Sequence, residues 1–474
     1  MSDFLSNKYS PFRFRELSNH ILVTNEIGDF DVFPTDILER FFNDQLTNDE
    51  VNQFKNLSII FDNDSKWRLS SLLRRVRKET ESTQRKINYI LLIPTLRCDL
   101  SCSYCQVSRA PVNSKGFDWT DSHLAKFESF IEQLELDHVK IEFQGGEPTL
   151  RTDLLKKIIQ ITEKHSTSSE FVVCSNLTTI TPEIEELYER DDLVISTSID
   201  GSISTMTENR TSSDDISQQI FNNFQYILKK YGPSKISALP TITEAQIDNP
   251  KQLLDIYVDL GFQSIFLRPV NYMGFARKQH RTLSQQVERW NNFYTRSLDL
   301  IKDINKTQYF DEFYTSLVIR KIFSKEPNGF VDFRSPSRFL NDTCVIDFDG
   351  EIYPSDEARM LSRIRHIDLS VGNLESGINE DKLSVLNDGG INQFHEDCIH
   401  CAYMPHCGID IIDDISRYKR FDVIKQETWF CNKQLFLFDF IFSKVITKDK
   451  EWLDLFLRWM KRSTTPSNAY DLFL

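Results

Sequence analysis

No stretch of this chain holds the roughly 18 consecutive apolar residues that a membrane-crossing helix needs, so no transmembrane helix is expected. The opening residues, MSDFLSNKYSPFRFREL, lack the apolar core of a secretory signal. A basic excess is missing too: 56 Lys and Arg stand against 70 Asp and Glu, for a net charge of −14. That balance disfavours nucleic acid or an anionic membrane surface as a partner and mildly favours a basic peptide or protein. Internal repeats and low-complexity tracts are absent. The expectation is a cytoplasmic protein, where thiols stay reduced and clustered cysteines point to metal more than to disulfides.

What is present is length, apolar residues and an uneven set of cysteines. At 474 residues the chain has room for two or three domains. Of nine cysteines, three fall at 98, 102 and 105, and four at 398, 401, 407 and 431, while Cys174 and Cys344 stand alone.

Residues 1–86 read as a small α+β unit. "HILVTN" and "DFDVF" are short strands around a turn at Gly28. "PTDILERFFND" and "TNDEVNQFKN" are helices, the second opened by a Thr47-x-x-Glu50 capping box. The charged stretch Lys66–Lys86 reads as a further helix. From residue 87 to about 320, apolar runs alternate with amphipathic helical stretches. "NYILLIP", "VKIEFQ", "EFVVCSN", "LVISTSID", "KISALPTIT" and "QSIFLRP" are six strand candidates. Strands alternating with helices predict a parallel α/β fold, a barrel or part of one. Ligand sites in such folds lie at the C-terminal ends of the strands. The cysteine stretch and the loops "QGGEP", "SNLT" and "SIDGS" all follow strands and therefore share that rim. Residues 321–474 carry the second cysteine group and end in an amphipathic helix, "KEWLDLFLRWMKR".

"RCDLSCSYCQVSR" places Cys98, Cys102 and Cys105 in a C-x₃-C-x₂-C pattern with Tyr104 before the last thiol. Thiolates bind soft metals and iron–sulfur clusters, and a cubane [4Fe–4S] cluster normally takes four. Three from one loop leave one iron open to an outside ligand, the feature that separates a working metal site from a structural one. From spacing alone, a three-cysteine zinc site and incidental cysteines stay open.

The C-x₃-C-x₂-C stretch resembles the signature of radical S-adenosylmethionine (SAM) enzymes. The resemblance runs over roughly residues 88–280 and implies a partial (β/α)6 TIM-type barrel. It implies a [4Fe–4S] cluster held by Cys98, Cys102 and Cys105, with SAM on the open iron. Reductive cleavage of SAM would then give a 5′-deoxyadenosyl radical that abstracts hydrogen from a C–H bond. By the same resemblance Tyr104 lies near the adenine. Gly145, Gly146 and Glu147 of "GGEP" form the glycine-rich loop that receives the methionine amino group. Asn176 stands where the family often reads T-N-G, although this chain lacks the glycine. Ser198 and Arg210 match positions touching the ribose and carboxylate, and Leu267 lies at the adenine end of the sixth strand, where core packing is the competing reading.

"CIHCAYMPHC" gives Cys398-x₂-Cys401-x₅-Cys407, and Cys431 follows. This spacing is less suited to a zinc ribbon, which uses two C-x₂-C pairs. It resembles the SPASM-type iron–sulfur domain of radical SAM enzymes acting on peptides and proteins, and implies one auxiliary [4Fe–4S] cluster. A second cluster would need cysteines where Ser355 and Asp410 stand, so Cys344 is expected to be unligated. Cys174 reads as a buried strand cysteine. Asp356 stands where sulfatase-maturing relatives place an aspartate that accepts a proton from substrate, which makes it the candidate catalytic base; a salt bridge with Arg359 is the competing role.

Phrases from "PFRFREL" through "YPSDEARM" are similar to the His-Xaa-Ser system radical SAM maturases (HxsB). That likeness implies a small ribosomally made peptide or protein substrate, a second radical SAM protein as partner, and an electron donor such as ferredoxin or flavodoxin. The N-terminal unit resembles peptide-recognition domains that add a leader segment to a sheet edge; packing on the barrel alone is the plainer reading. An anaerobic sulfatase-maturing type of enzyme, and a non-catalytic metal-binding scaffold or redox sensor, are the alternatives.

Overall fold

The computed structural model describes residues 9–61, 66–80, 86–280, 286–324 and 330–461. It begins with a three-stranded antiparallel sheet, β1 (Phe12–Leu17), β2 (His20–Asn25) and β3 (Phe30–Pro34), in the order β1-β2-β3. Strand β1 was not foreseen in the sequence. Helices α1 (Ile37–Phe42) and α2 (Asn48–Asn56) cover this sheet. Thr47 and Glu50 form the reciprocal capping box that the sequence announces. Phe33, Ile37, Phe41 and Phe54 make a small core of their own. Helix α3 (Lys66–Thr80) then leads into the main sheet.

Strand β4 (Tyr89–Thr95) is apolar almost throughout because it is buried on both faces. The cysteine loop follows, its base closed by the short parallel pair β5 (Arg97–Cys98) and β6 (Ala110–Pro111). Four units of helix and strand come next: α4 (Asp121–Leu134), β7 (Leu136–Gly145), α5 (Thr152–His165), β8 (Ser166–Cys174), α6 (Pro182–Tyr188), β9 (Leu193–Thr197), α7 (Ile203–Met206), α8 (Asp214–Tyr231) and β10 (Ile236–Ala238). The order β10-β9-β8-β7-β4 is parallel throughout. Helices α4 and α5 turn Leu124, Phe127 and Ile131, and Leu155, Ile158 and Ile159, toward that sheet at helical spacing.

The fifth and sixth strands expected from the sequence are each broken. "KISALPTIT" splits into β10 and β11 (Thr241–Ile242) around Pro240, which has no N–H to give a ladder. After α9 (Glu244–Asp248) and α10 (Pro250–Asp259), "QSIFLRP" splits into β12 (Ser264–Ile265) and β13 (Arg268–Pro269). There the Leu267 N–H is donated to the Glu312 carboxylate, 3.1 Å away, instead of to a strand. Strand β13 pairs with β11, and β12 with β14 (Asp311–Glu312), which lies beyond α11 (Ala276–Gln279) and α12 (Val287–Ile304).

After α13 (Phe313–Phe323), β15 (Thr343–Ile346) returns to pair in parallel with β4 on its free side. Strands β16 (Glu351–Tyr353), β17 (Gly372–Asn373) and β18 (Gly377–Ile378) extend the same sheet antiparallel, with helix α14 (Asp356–Arg363) between β16 and β17. The described residues end in α15 (Glu380–Gly389), α16 (Glu396–Ile399), α17 (Ile411–Tyr418), α18 (Trp429–Ile446) and α19 (Lys450–Lys461). One continuous apolar core runs from the parallel strands into these helices. Among the described residues no helix is long and apolar enough to cross a membrane.

Candidate functional site

The loops leaving β4, β7, β8 and β9 at their C-terminal ends meet around a cavity of about 260 Å³. Cys98, Cys102, Tyr104 and Cys105 line it from the first loop, with Gly145, Gly146 and Glu147 from the second. Asn176 comes from the third and Ser198 from the fourth, and Arg210 enters from the turn after α7. Leu267 does not line it. It is buried and faces a larger neighbouring cavity instead.

The cysteine loop is held from several sides. The Ser103 N–H is donated to the Asn209 carbonyl at 2.7 Å, and the Phe275 N–H to the Cys105 carbonyl at 2.8 Å. Ser103 Oγ bonds His280 Nε2 at 3.0 Å, and the other ring nitrogen faces Glu244 at 3.1 Å. On the β7 side, the Gly146 N–H is donated to the Thr95 carbonyl and the Glu147 N–H to that of Arg97. A Cβ on Gly145 or Gly146 would overlap the carbonyl oxygens of Thr95 or Arg97. The resemblance assigns these glycines to a loop that receives a ligand's amino group. Their first requirement is closeness to the cysteine loop itself.

Tyr104 is fixed by its hydroxyl, which is donated to Asp200 Oδ2 at 2.6 Å and accepts from Arg210 at 2.9 Å. Asp200 is fully buried and also accepts the Thr241 N–H. Its only sequence signal was a lone acid following an apolar strand. Glu147 is buried, accepting from Thr149 and from the Asn176 N–H at 2.7 Å. Burial pushes its carboxyl up to about 7, against the pull of those hydrogen bonds. The Asn176 side chain is donated to Asp99 at 2.7 Å, so it braces the cysteine loop.

Burial pushes the Cys102 thiol up to about 11 while the charge of Arg210 pulls the other way, and burial likewise raises Cys98. Such thiols ionise when a metal supplies the missing positive charge. Arg210 Nε and Thr197 Oγ1 are buried without a hydrogen-bond partner, and both residues line the cavity. Three thiols, a close-fitting glycine wall and an unsatisfied guanidinium N–H suit a cluster together with a ligand carrying polar groups. Among the described residues, no three His, Cys, Asp or Glu side chains are gathered as a single metal ion requires. Cys174 departs from the expected core cysteine. Its thiol lines the cavity and is donated to Glu142 at 3.3 Å, and Glu142 also accepts from Tyr89 and Gln144.

A second cavity, of about 210 Å³, is lined by Cys398, Cys401, Cys407 and Cys431 together. The Cys401 N–H is donated to the Cys398 carbonyl, and that of Cys431 to Thr428, which caps α18. A donor set of four thiols around one space suits a cubane. Ser355 and Asp410 instead cap α14 and α17: Ser355 accepts from the Ala358 N–H, Asp410 from those of Ile412 and Asp413. Cys344 is fully buried in β15 between β4 and β16.

Between the two lies a cavity of about 750 Å³, lined by Tyr314, Trp429, Glu357 and Asp413 among others. It shares Asp356, Gln106, Asn271 and Arg268 with the first cavity, and Asp410 and Phe430 with the second. Asp356 Oδ1 accepts from Arg359 Nε at 2.7 Å, so the aspartate both lines the junction and forms the salt bridge. Burial raises the carboxyls of Glu357 and Asp410.

Residues 92–253 match the family model of the Radical SAM superfamily. The chain is 26% identical over 213 residues to an uncharacterized protein of Methanocaldococcus jannaschii, covering 43% of this chain and 69% of that one. It is 26% identical over 204 residues to GTP 3′,8-cyclase of Clostridium botulinum strain Hall, and the match covers 42% of this chain and 60% of the cyclase. The structure of anSMEcpe with bound AdoMet is similar at a TM-score of 0.60 and 17% identity, over 77% of this chain and 99% of that one. SuiB of Streptococcus suis bound to precursor peptide SuiA is similar at 0.50 and 13%, over 88% and 98%. At these identities the structural likeness is one of fold.

Proposed function

With a Radical SAM domain over residues 92–253, and so an enzyme that uses a [4Fe–4S] cluster and SAM, this chain is, we propose, a peptide or protein maturase. The observation that carries the reading is the 750 Å³ cavity that meets the three-thiol cavity at Asp356 and the four-thiol cavity at Asp410 and Phe430. A folded-over peptide segment has room there, between two groups of thiols.

Cys98, Cys102 and Cys105 would hold the first cluster. Tyr104, Gly145, Gly146, Glu147, Ser198 and Arg210 would form the SAM pocket, with Asn176 bracing the loop and Leu267 in the wall behind it. When bound, the pair supplies a 5′-deoxyadenosyl radical for hydrogen abstraction. Cys398, Cys401, Cys407 and Cys431 would hold one auxiliary [4Fe–4S] cluster, with Cys344 outside it. Asp356, oriented by Arg359, lines both the three-thiol cavity and the 750 Å³ cavity and is the candidate base for a proton leaving the substrate.

The division of labour runs 1–86 for peptide recognition, 87–320 for the radical SAM core and 321–474 for the SPASM-like part. The substrate class is a small ribosomally made protein of a His-Xaa-Ser type system, with ferredoxin or flavodoxin as electron donor, a second radical SAM protein as partner, and a cytoplasmic location. Anaerobic reconstitution tests the reading. About eight irons per chain and release of 5′-deoxyadenosine on reduction are expected; zinc at both sites and an intact SAM pool would end it.

A further inference from the structure

The four-thiol cavity is not closed by the C-terminal residues alone. Strand β1, nearly four hundred residues earlier in sequence, lies across it. Arg13 and Arg15 sit on one face of that strand, as residues two apart do. Arg13 Nε is donated at 2.7 Å to the carbonyl of Ile399, which lies between Cys398 and Cys401. Arg15 lines the thiol cavity and makes a two-pronged ion pair with Asp439 of α18, at 2.7 and 2.6 Å. Its guanidinium carbon stands 5.4 Å from the ring centre of Tyr403, two residues beyond Cys401, and the Tyr403 hydroxyl is donated to the same Asp439. A Cβ on Gly28, in the turn after β2, would lie 2.5 Å from the His406 ring, beside Cys407.

The other charges around this cavity are mostly negative. Asp397, Asp410 and Asp414 line it, and Lys425, also in the lining, is tied to Asp414 at 2.6 Å. Arg13 is paired with Glu26 at 3.1 Å. A cubane on four thiolates is anionic, and it gains one more negative charge on reduction. The reduced form is therefore favoured by a nearby cation, and local charge is one of the levers that set cluster potentials.

We propose that Arg15, with Arg13 beside it on β1, sets the reduction potential of the cluster held by Cys398, Cys401, Cys407 and Cys431, so that the N-terminal unit is a working part of the auxiliary site. Arg15 acts here as a positioning residue for charge and touches no reacting atom. The inference rests on the auxiliary-cluster reading given above.

The test uses the full-length chain with Cys98, Cys102 and Cys105 changed to alanine, reconstituted anaerobically with iron and sulfide and titrated potentiometrically by electron paramagnetic resonance. Arg15→Gln is expected to lower the reduced-to-oxidised ratio at fixed potential about tenfold, equivalent to about 59 mV for a one-electron couple. Arg15→Lys keeps the charge and is expected to stay near the parent. Asp439→Asn removes the opposing charge and is expected to shift the ratio the other way; it decides the matter if Arg15→Gln does not fold. Identical midpoints in the parent, Arg15→Gln and Asp439→Asn would overturn the inference while leaving the cluster in place. A parent chain that takes up no iron would overturn the auxiliary-cluster reading, and this inference with it.

Discussion

Gly146 lies so close to Arg97 that a Cβ on the glycine would overlap the arginine carbonyl oxygen, and the next residue, Glu147, donates its N–H to that same oxygen. The loop after β7 thus acts as a template for the loop that carries the thiols. Gly146→Ala forces backbone apart at this contact. It is expected to cost about 1–3 kcal/mol of stability and, by displacing the thiol loop, to lower 5′-deoxyadenosine formation roughly 10²-fold. Denaturant melts and product chromatography read the two effects.

Glu147 gives a pH signature. Its carboxyl ionises near 7 in the folded chain against 4.5 for the free group, so the fold holds the proton longer than the unfolded chain does. This contribution is complete below about pH 4.5, falls as the pH rises to 7, and is constant above that, for a total of about 3 kcal/mol. In metal-free protein, Glu147→Gln is expected to flatten that part of the stability curve. Equal slopes in parent and variant would refute the burial argument.

The two cysteine groups should lose iron separately. Cys431→Ala is expected to take reconstituted iron from about eight to about four per chain while SAM cleavage continues. Cys344→Ala should leave the iron count unchanged and cost about 1–2 kcal/mol through a cavity in the sheet. Iron analysis with Mössbauer spectra separates these outcomes.

Asp356→Asn keeps the shape of the cavity junction and removes the base. Modified substrate is expected to fall by about 10²–10⁴-fold, while 5′-deoxyadenosine is still released. Mass spectrometry of the peptide product alongside nucleoside release reads the split. Equal loss of both would reassign Asp356 to holding Arg359.

The parallel core was readable because its strands are locally marked. β4, β7, β8 and β9 are apolar runs between amphipathic helices, and both cysteine groups are visible as spacing. What could not be read depends on distant pairing. Strand β15 joins β4 across some 250 residues, and nothing in "TCVIDF" announces its partner. The breaks in the fifth and sixth strands follow from Pro240 and from the capture of the Leu267 N–H by Glu312, of which only the proline is local. Asp200 after β9, and Gly274 and His280 on either side of α11, brace the cysteine loop from two distant segments; a Cβ on Gly274 would overlap the Gln106 carbonyl oxygen. Cys174 reads as core because it follows the apolar run Phe171–Val173, yet its place as the last residue of β8 opens its thiol to the cavity.

The proposed activity depends on Cys98, Cys102 and Cys105 holding a cluster on which SAM is split. The direct test compares reduced, anaerobically reconstituted parent and Cys102→Ala proteins for 5′-deoxyadenosine released from SAM. The parent is expected to form it and the variant to fall to background. Undiminished release from Cys102→Ala would contradict a cluster held by these three cysteines as the site of SAM cleavage.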